Sequence, residues 1–287
     1  MTAQLPPQAV QLFLNEDESY SVTVVDTPGF DDTYRSDAEI LAEITEYMAA
    51  QYAAKIPLKG IIYLHQIHEN KMKGSGRRVV EMFRALCGDE ALKKVVLVTT
   101  RWDCVSAAEK GNALRREQEL IDTWWRPMLD LGSTHTQFHG SRLEAEAMVL
   151  EIIRDPDRVV LDIQRELVDA EKEIAETKAG LPLDRLLAAD ISRYIEQLRE
   201  IDAKLADAER RGNSNDVKRL KEERKEIEGV VRKLESSQKR IRVRVGRHIK
   251  ERISAARWDS KEILATSISI FTAIVGVTLT VVKFAVL

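Results

Sequence analysis

The run Val24-Val25-Asp26-Thr27-Pro28-Gly29-Phe30-Asp31-Asp32-Thr33 decides how the rest of the chain is interpreted. Residues Ser21 to Val25 are apolar and β-branched enough to form a buried strand. A strand that ends in an acid presents the carboxylate at the carboxyl edge of a sheet, where α/β folds bind ligands. We therefore expect Asp26 to hold Mg²⁺ through a water molecule, because Mg²⁺ prefers oxygen ligands and keeps part of its hydration shell. Gly29 has no side chain, so its N–H can approach a terminal phosphate closely.

The segment Asp26 to Gly29, which includes Thr27 and Pro28, is thus a candidate nucleotide site. The alternative is an ordinary strand followed by a Pro-Gly turn. A motif this short needs support from elsewhere in the chain. A helix from about Asp37 to Ala54 and a second apolar strand, Lys59 to Leu64, continue the alternation of an α/β fold.

A third apolar strand, Lys94 to Thr99, leads directly into Thr100-Arg101-Trp102-Asp103. In GTPases a loop of this type after such a strand reads the base, and the same role for Asp103 would have one carboxylate accept two hydrogen bonds from the N1 and N2 donors of guanine, which adenine does not offer. The aliphatic stem of Arg101 is long enough to cover the plane of a base, and Thr100 completes the loop. The alternative role for Asp103 is that of an N-cap before a helix.

A fourth strand is predicted from Thr134 to His139, followed by Gly140-Ser141 and a helix from Leu143 to Ile153. A GTPase would place its last base-contacting loop at this position, so Gly140 and Ser141 are the candidates for it.

These motifs together resemble those of a known family. They are the run from Asp26 to Thr33, the segment Gly60-Ile-Ile-Tyr-Leu-His-Gln-Ile-His68, the stretch Met82-Phe-Arg-Ala-Leu-Cys-Gly88 and the Thr-Thr-Arg-Trp-Asp loop. The chain looks like a fungal G-domain protein of the septin-like, or paraseptin, class of P-loop GTPases. Immunity-associated nucleotide-binding GTPases and chloroplast outer-envelope import receptors are similar. The resemblance covers roughly residues 10 to 155 and implies a GTPase fold with GTP or GDP and Mg²⁺ as ligands.

The sequence departs from that pattern in two places. The Gly-x-x-x-x-Gly-Lys-Ser/Thr loop that holds phosphates is absent from this sequence, whose first lysine is Lys55. Phe30 follows Gly29 where Ras-like enzymes hold a glutamine that positions water, so hydrolysis is expected to be slow and no catalytic residue is predicted. We expect either an N-terminally incomplete sequence or a degenerate pseudo-GTPase that acts as a nucleotide-independent scaffold. The predicted fold is a three-layer, GTPase-like α/β sheet with a gap between the strands carrying Asp26 and Leu64.

Composition restricts the binding partners and the cellular environment that we expect for the protein. The formal net charge of -3 argues against bulk nucleic-acid binding. Two cysteines, Cys87 and Cys104, do not make a disulfide framework, which favours a reducing, cytosolic environment.

The chain is expected to divide into three parts. Residues 1–155 form the partial G domain, and residues 156–258 form a helical, coiled-coil region because apolar residues recur there at spacings of three and four among dense charge. Within that region a helix is predicted over residues 158–178, followed by two helices that pair as a hairpin. This arm is a candidate for homo-oligomerisation, as is the G domain, and the alternative is a solvated spacer.

Residues 262–287 form the third part, a hydrophobic segment. Ile263 to Val282 carries no charge, and twenty helical residues at about 1.5 Å each span the hydrocarbon core of a bilayer. The basic stretch from Lys239 to Lys261 precedes it, and Trp258 suits the headgroup level. We expect a tail anchor with the body of the protein on the cytosolic face of an intracellular membrane. The alternative is a buried or amphipathic helix.

Overall fold

The computed structural model describes residues 9–13, 20–30, 35–67, 74–255 and 279–286. The fold is mixed α/β, which confirms the predicted class at that level. Within these ranges, six strands form one sheet in the order β1-β2-β6-β3-β4-β5. Their bounds are Ala9–Phe13 (β1), Tyr20–Val25 (β2), Leu58–Gln66 (β3), Val95–Thr100 (β4), Thr134–Gln137 (β5) and Leu279–Val286 (β6).

Strands β3, β4 and β5 are parallel neighbours, as expected of strands joined through helices. Strand β6 lies between β2 and β3 and is antiparallel to both, with Val281 opposite Val25 on one side and Ile61 on the other. Strands β2 and β3 therefore run in the same direction. The gap predicted between them is filled, and it is filled from the carboxyl-terminal part of the sequence.

The prediction of a hydrophobic helix at residues 263–282 is wrong for its last residues. Residues 279–286 form a strand that pairs along both of its edges. The physical reason lies in the sequence Leu-Thr-Val-Val-Lys-Phe-Ala-Val, which is rich in β-branched residues and satisfies its backbone groups in the ladder. The remainder of the predicted segment, residues 262–278 and 287, lies outside the described residues. Within the described helices, none combines the length and the apolar character needed to cross a membrane.

Nine helices accompany the sheet in the described ranges. They are Asp37–Ala53 (α1), Gly74–Cys87 (α2), Lys110–Glu119 (α3), Arg126–Leu129 (α4), Arg142–Arg154 (α5), Asp162–Gln164 (α6), Leu181–Arg210 (α7), Ser214–Ile241 (α8) and Val245–Ala255 (α9). Helix α1 begins where Ser36 and Glu39 form a reciprocal capping box, which satisfies two of the free amides at the helix start.

The two faces of the sheet are covered unequally. Alternation along β3 sends Ile61 and Tyr63 into a large main core shared with α1 and α2, and Ile62 into a second, smaller core. Among the described residues, the second core is closed by α5, which contributes Val149 and Ile152. Gly60 lies under α5, where an added Cβ would stand 2.6 Å from Ile152 Cγ2.

The predicted helix over residues 158–178 is wrong. The structure has only α6, a π-helical turn at Arg165–Asp169 and a 3-10 turn at Ile174–Glu176. This winding path buries Leu161, Ile163 and Ile174 completely in the main core. Burial of many apolar side chains on different sides of the segment outweighs the helical tendency of its charged residues. The main core thus extends across the expected boundary at residue 155.

Helices α7 and α8 form the antiparallel hairpin that the sequence predicts. Lys221 forms an ion pair with Glu209, and Arg224 forms one with Asp202. Residue numbers increase along α8 as they decrease along α7, so the two helices are antiparallel. A separate cluster of Ile201, Ala208 and Leu220 holds the outer part of the hairpin together.

The base of the hairpin is built into the main core. Ile241 near the end of α8 is fully buried there, and the Ser237 hydroxyl donates to Ser36 Oγ over 3.1 Å. Helix α9 lies so close to the preceding segment that a Cβ on Gly246 would stand 1.9 Å from the Leu167 carbonyl oxygen. The helical region is therefore anchored to the sheet domain at its base.

Candidate functional site

The candidate residues lie at one edge of the sheet. Strands β2, β3, β4 and β5 run in the same direction, so their carboxyl ends share that edge. Asp26 follows β2, Arg101 follows β4, and Gly140 comes shortly after β5. This is the edge at which α/β sheets bind ligands. The sheet topology thus places all three predicted loops on the same side of the molecule.

The loop after β4 turns sharply. Arg101 adopts a left-handed conformation with φ of 63°, which is uncommon for a residue with a side chain. A 3-10 turn at Trp102–Cys104 follows, and the Cys104 N–H donates to the Arg101 carbonyl over 3.2 Å. Asp103 is exposed, so its carboxylate is accessible for a ligand.

A buried carboxylate holds this loop. Glu117 on α3 is 6% exposed and accepts a 2.8 Å hydrogen bond at Oε1 from the hydroxyl of Thr99, the residue before the end of β4. Thr99 Oγ1 in turn accepts from Trp102 Nε1 over 3.0 Å. The other carboxylate oxygen, Oε2, accepts from Gln137 Nε2 at the end of β5 over 2.5 Å. Glu117 therefore connects the ends of two strands with the loop that carries Asp103.

The three polar side chains at the strand ends form a row. Register places His65 of β3 opposite Thr99 of β4, and Thr99 opposite Gln137 of β5. Burial lowers the pKa of His65 to about 4, because the imidazolium would lose its surrounding water. His65 is consequently neutral at pH 7, and its ring meets the buried Trp125 ring edge-on at 6.1 Å. This row ends the main core at the carboxyl edge of the sheet.

The loop between β5 and α5 is fixed by capping. Gly140 has φ of +94°, which a side chain would disfavour. Ser141 is the N-cap of α5, and Glu144 completes a capping box by accepting from the Ser141 N–H over 3.2 Å. Glu144 also accepts from the backbone N–H of His139 over 3.1 Å. The His139 ring lies 6.3 Å from the Trp102 ring, so the two loops meet.

After the roles that the sequence predicts for these loops, we call residues 99–104, residues 137–141 and Glu117 together the base-reading edge, and residues 26–30 the phosphate segment. The phosphate segment is built differently. Thr27, Pro28 and Gly29 are buried, and Phe30 is 4% exposed and belongs to the main core. In this arrangement a phosphate would have to displace packed atoms to reach the Gly29 N–H.

Asp26 itself is exposed, yet loss of water around its carboxyl raises the pKa, an effect that a hydrogen bond to the Thr27 backbone opposes. Strand β6 presents its first residue, Leu279, toward the carboxyl edge beside the phosphate segment. In the described part of the chain no group of three or more His, Cys, Asp or Glu side chains is placed to hold a metal ion. Asp26 is the described residue that the sequence predicts to hold Mg²⁺ through water.

Sequence reasoning missed Glu117 and Gln137. A signal for Glu117 was present, because Ala113, Glu117 and Leu120 follow the spacing of one buried helical stripe with an acid in the middle. An acid at an apolar position must find donors when the helix packs. The signal for Gln137 was weaker, since alternation in β5 does not identify its partner.

Comparison with protein-family models finds no match for this chain, and comparison with curated proteins finds none either.

Proposed function

We propose that this protein is a GTPase-like, guanine-nucleotide-binding protein of the septin-like kind, in which recognition of the base dominates over recognition of the phosphates. The observation that carries the proposal is the base-reading edge. There Asp103 is exposed on a loop in which the Trp102 indole N–H donates to Thr99, and the Thr99 hydroxyl donates to the buried carboxylate of Glu117. A carboxylate on a loop held in this way suits the paired N–H donors of guanine. GTP, GDP and Mg²⁺ are the ligands proposed.

Roles are assigned as follows. Asp103 accepts from the guanine N1 and N2 donors, and the stem of Arg101 covers one face of the base. Thr100, Gly140 and Ser141 border the base. Asp26, Thr27, Pro28 and Gly29 contact phosphate, and Asp26 holds Mg²⁺ through water, only when the phosphate segment opens. Since Phe30 packs in the main core instead of orienting water, hydrolysis is slow.

A titration monitored by ligand-observed NMR tests this proposal. GMP and AMP are compared at millimolar concentration with the wild type, Asp103→Ala and a control variant, Asp122→Ala, which changes an exposed acid elsewhere. A hydrogen bond to a charged group contributes about 1.5 to 3 kcal/mol, so guanine preference of roughly tenfold to a hundredfold is expected. Asp103→Ala should lose it, and Asp122→Ala should keep it. Absence of guanine preference in the wild type would refute the proposal.

A nucleotide-independent interaction protein is the second candidate. Two observations favour it: the antiparallel β6 beside the phosphate segment, and the α7–α8 hairpin, whose outer cluster extends beyond the main core. Such a hairpin offers a surface for homo-oligomerisation or for a partner. Sedimentation with and without GDP distinguishes the two, because this candidate requires assembly that nucleotide does not alter.

Membrane attachment through residues 262–287 is a further proposal, and it competes with β6. Residues 279–286 cannot pair in the sheet and lie in a bilayer at once. Attachment therefore requires either residues 262–278 alone or release of β6. Flotation of the full chain with neutral and anionic vesicles tests it, and recovery of the protein with neither kind of vesicle would refute it.

A further inference from the structure

We infer that Glu117 is a positioning residue for base recognition, which sets the preference for guanine without touching the ligand. The inference rests on the proposed function. It starts from an anomaly in α3, where Glu117 is a buried acid between two buried apolar residues, Ala113 on the same helix and Leu120 in the π-helical turn Leu120–Trp124 that follows it. Burying a carboxylate is unfavourable unless its oxygens find donors.

Both oxygens of Glu117 do find donors, and the donors belong to different strands. Thr99 of β4 donates to Oε1 over 2.8 Å, and Gln137 of β5 donates to Oε2 over 2.5 Å. Thr99 and Gln137 are register partners, so the carboxylate bridges two adjacent strand ends from above. A single side chain thereby fixes where both loops leave the sheet.

Each of these two hydrogen bonds is the start of a branch of contacts that leads into one loop. Through Thr99 the carboxylate reaches Trp102, whose indole N–H donates to Thr99 Oγ1 over 3.0 Å and which directly precedes Asp103. Through Gln137 it reaches the start of the loop that contains His139, Gly140 and Ser141. The Trp102 and His139 rings then bring the two branches together at 6.3 Å. Glu117 thus sets the position of Asp103 relative to the second loop.

Misplacement by a fraction of an ångström weakens two-point hydrogen bonding more than it weakens general contact with a base. Loss of Glu117 should therefore lower affinity for GMP while leaving affinity for AMP nearly unchanged. A residue with only a structural role would lower both together or neither. The ratio of the two affinities is accordingly the informative quantity.

The experiment compares three variants of the full chain. Glu117→Leu removes both acceptors. Glu117→Gln keeps both hydrogen bonds if the Gln137 amide turns over, so that its oxygen accepts from the new amide. Glu119→Leu is the matched control, because Glu119 is an exposed acid on the same helix. Each variant is titrated with GMP and AMP by ligand-observed NMR, and amide hydrogen exchange is followed in residues 100–104 and 138–141.

We expect Glu117→Leu to reduce the GMP-to-AMP affinity ratio at least fivefold and to speed exchange in both loops. Glu117→Gln should restore the ratio to within about twofold, and Glu119→Leu should match the wild type. An unchanged ratio in folded Glu117→Leu would overturn the inference. So would unchanged exchange in both loops.

Two milder variants keep the test decisive if Glu117→Leu does not fold. Thr99→Val cuts only the branch to Trp102, and Gln137→Leu cuts only the branch to the second loop. We expect faster exchange in residues 100–104 alone for the first and in residues 138–141 alone for the second. If neither variant shows faster exchange, the inference is overturned. Failure of the proposed function can be distinguished from failure of this inference. If the proposed function is wrong, the wild type shows no preference for GMP over AMP, whatever the exchange data show.

Discussion

The base-reading edge and the phosphate segment lie at the same edge of one sheet, yet they are held by opposite means. The base-reading edge is fixed by hydrogen bonds from Thr99, Trp102 and Gln137 that converge on or near Glu117. The phosphate segment is fixed by packing, with Phe30 in the main core and Gly29 buried. The comparison shows that two equally recognisable sequence motifs differ in how accessible they are to a ligand. The base-reading edge presents an exposed carboxylate, whereas the phosphate segment is packed against the main core.

The largest effect is expected in the phosphate segment. Phe30→Ala removes a buried aromatic side chain from the main core and should reduce the free energy of unfolding by about 3 to 5 kcal/mol. Urea denaturation measures this. Leu143→Ala is the control, because Leu143 is 78% exposed and its loss should change stability by less than about 0.5 kcal/mol. A loss below about 1 kcal/mol for Phe30→Ala would show that the segment is not packed as described.

The next effect concerns the polar row behind the base-reading edge. Burial lowers the pKa of His65 to about 4 from a reference of 6.5, so the unfolded chain takes up this proton first as pH falls. The contribution of neutral His65 to the free energy of unfolding is complete above pH 6.5 and is lost as the pH falls through 4. This contribution amounts to about 3 kcal/mol at most.

Urea denaturation at pH 7 and pH 4.5 measures the contribution of His65. His65→Gln should show a smaller loss of stability between these values than the wild type. His135→Gln, which changes an exposed histidine on β5, should behave as the wild type. Equal pH dependence in all three proteins would contradict the assignment.

A smaller effect is expected within the base-reading edge itself. Trp102→Phe removes the indole N–H that donates to Thr99 and should reduce the free energy of unfolding by about 0.5 to 1.5 kcal/mol beyond the loss of packing. Trp124→Phe is the matched control, because Trp124 Nε1 has no hydrogen-bond partner among the described residues. Thermal or urea denaturation compares them. A larger loss for Trp124→Phe would argue against the polar network as the support of this loop.

The smallest effect is expected at Asp26. Its pKa is raised by loss of water, so at neutral pH the charged form opposes folding, and this cost disappears as pH falls through the raised pKa. Asp26→Asn should therefore stabilise the protein slightly at pH 7 and change it little at pH 3. Denaturation at both pH values checks the sign. Clear destabilisation at pH 7 would indicate that a carboxylate is needed there.

Sequence patterns predicted most of the sheet, because apolar β-branched runs mark β2, β3 and β4 within one or two residues of their observed bounds. They also placed the helical hairpin, whose apolar spacing is local information. The antiparallel β6 was not predicted, since Leu279–Val286 is apolar enough for a helix or a strand and only the open edges of β2 and β3 decide between them. Pairing between distant segments leaves no periodic trace in either one.

The candidate site was predictable only in part, for a similar reason. Asp26, Asp103 and Ser141 were named from their positions after strands, and the topology does bring their loops to one edge. The supports of those loops were missed, because Glu117 acts through contacts with strands that are 18 and 20 residues away. The burial of Gly29 and Phe30 was also hidden, since a motif gives residue types and not the atoms that cover them.

The most direct test of the account is a titration of the wild-type protein with GMP, AMP and GTP, the last with and without Mg²⁺. If the base-reading edge dominates, GMP binds at least about tenfold more tightly than AMP, and the triphosphate with Mg²⁺ gains less than a further tenfold, or about 1.4 kcal/mol, over GMP. Affinity for GTP with Mg²⁺ that exceeds affinity for GMP a hundredfold would contradict the account, because it would require a phosphate segment that is open and competent.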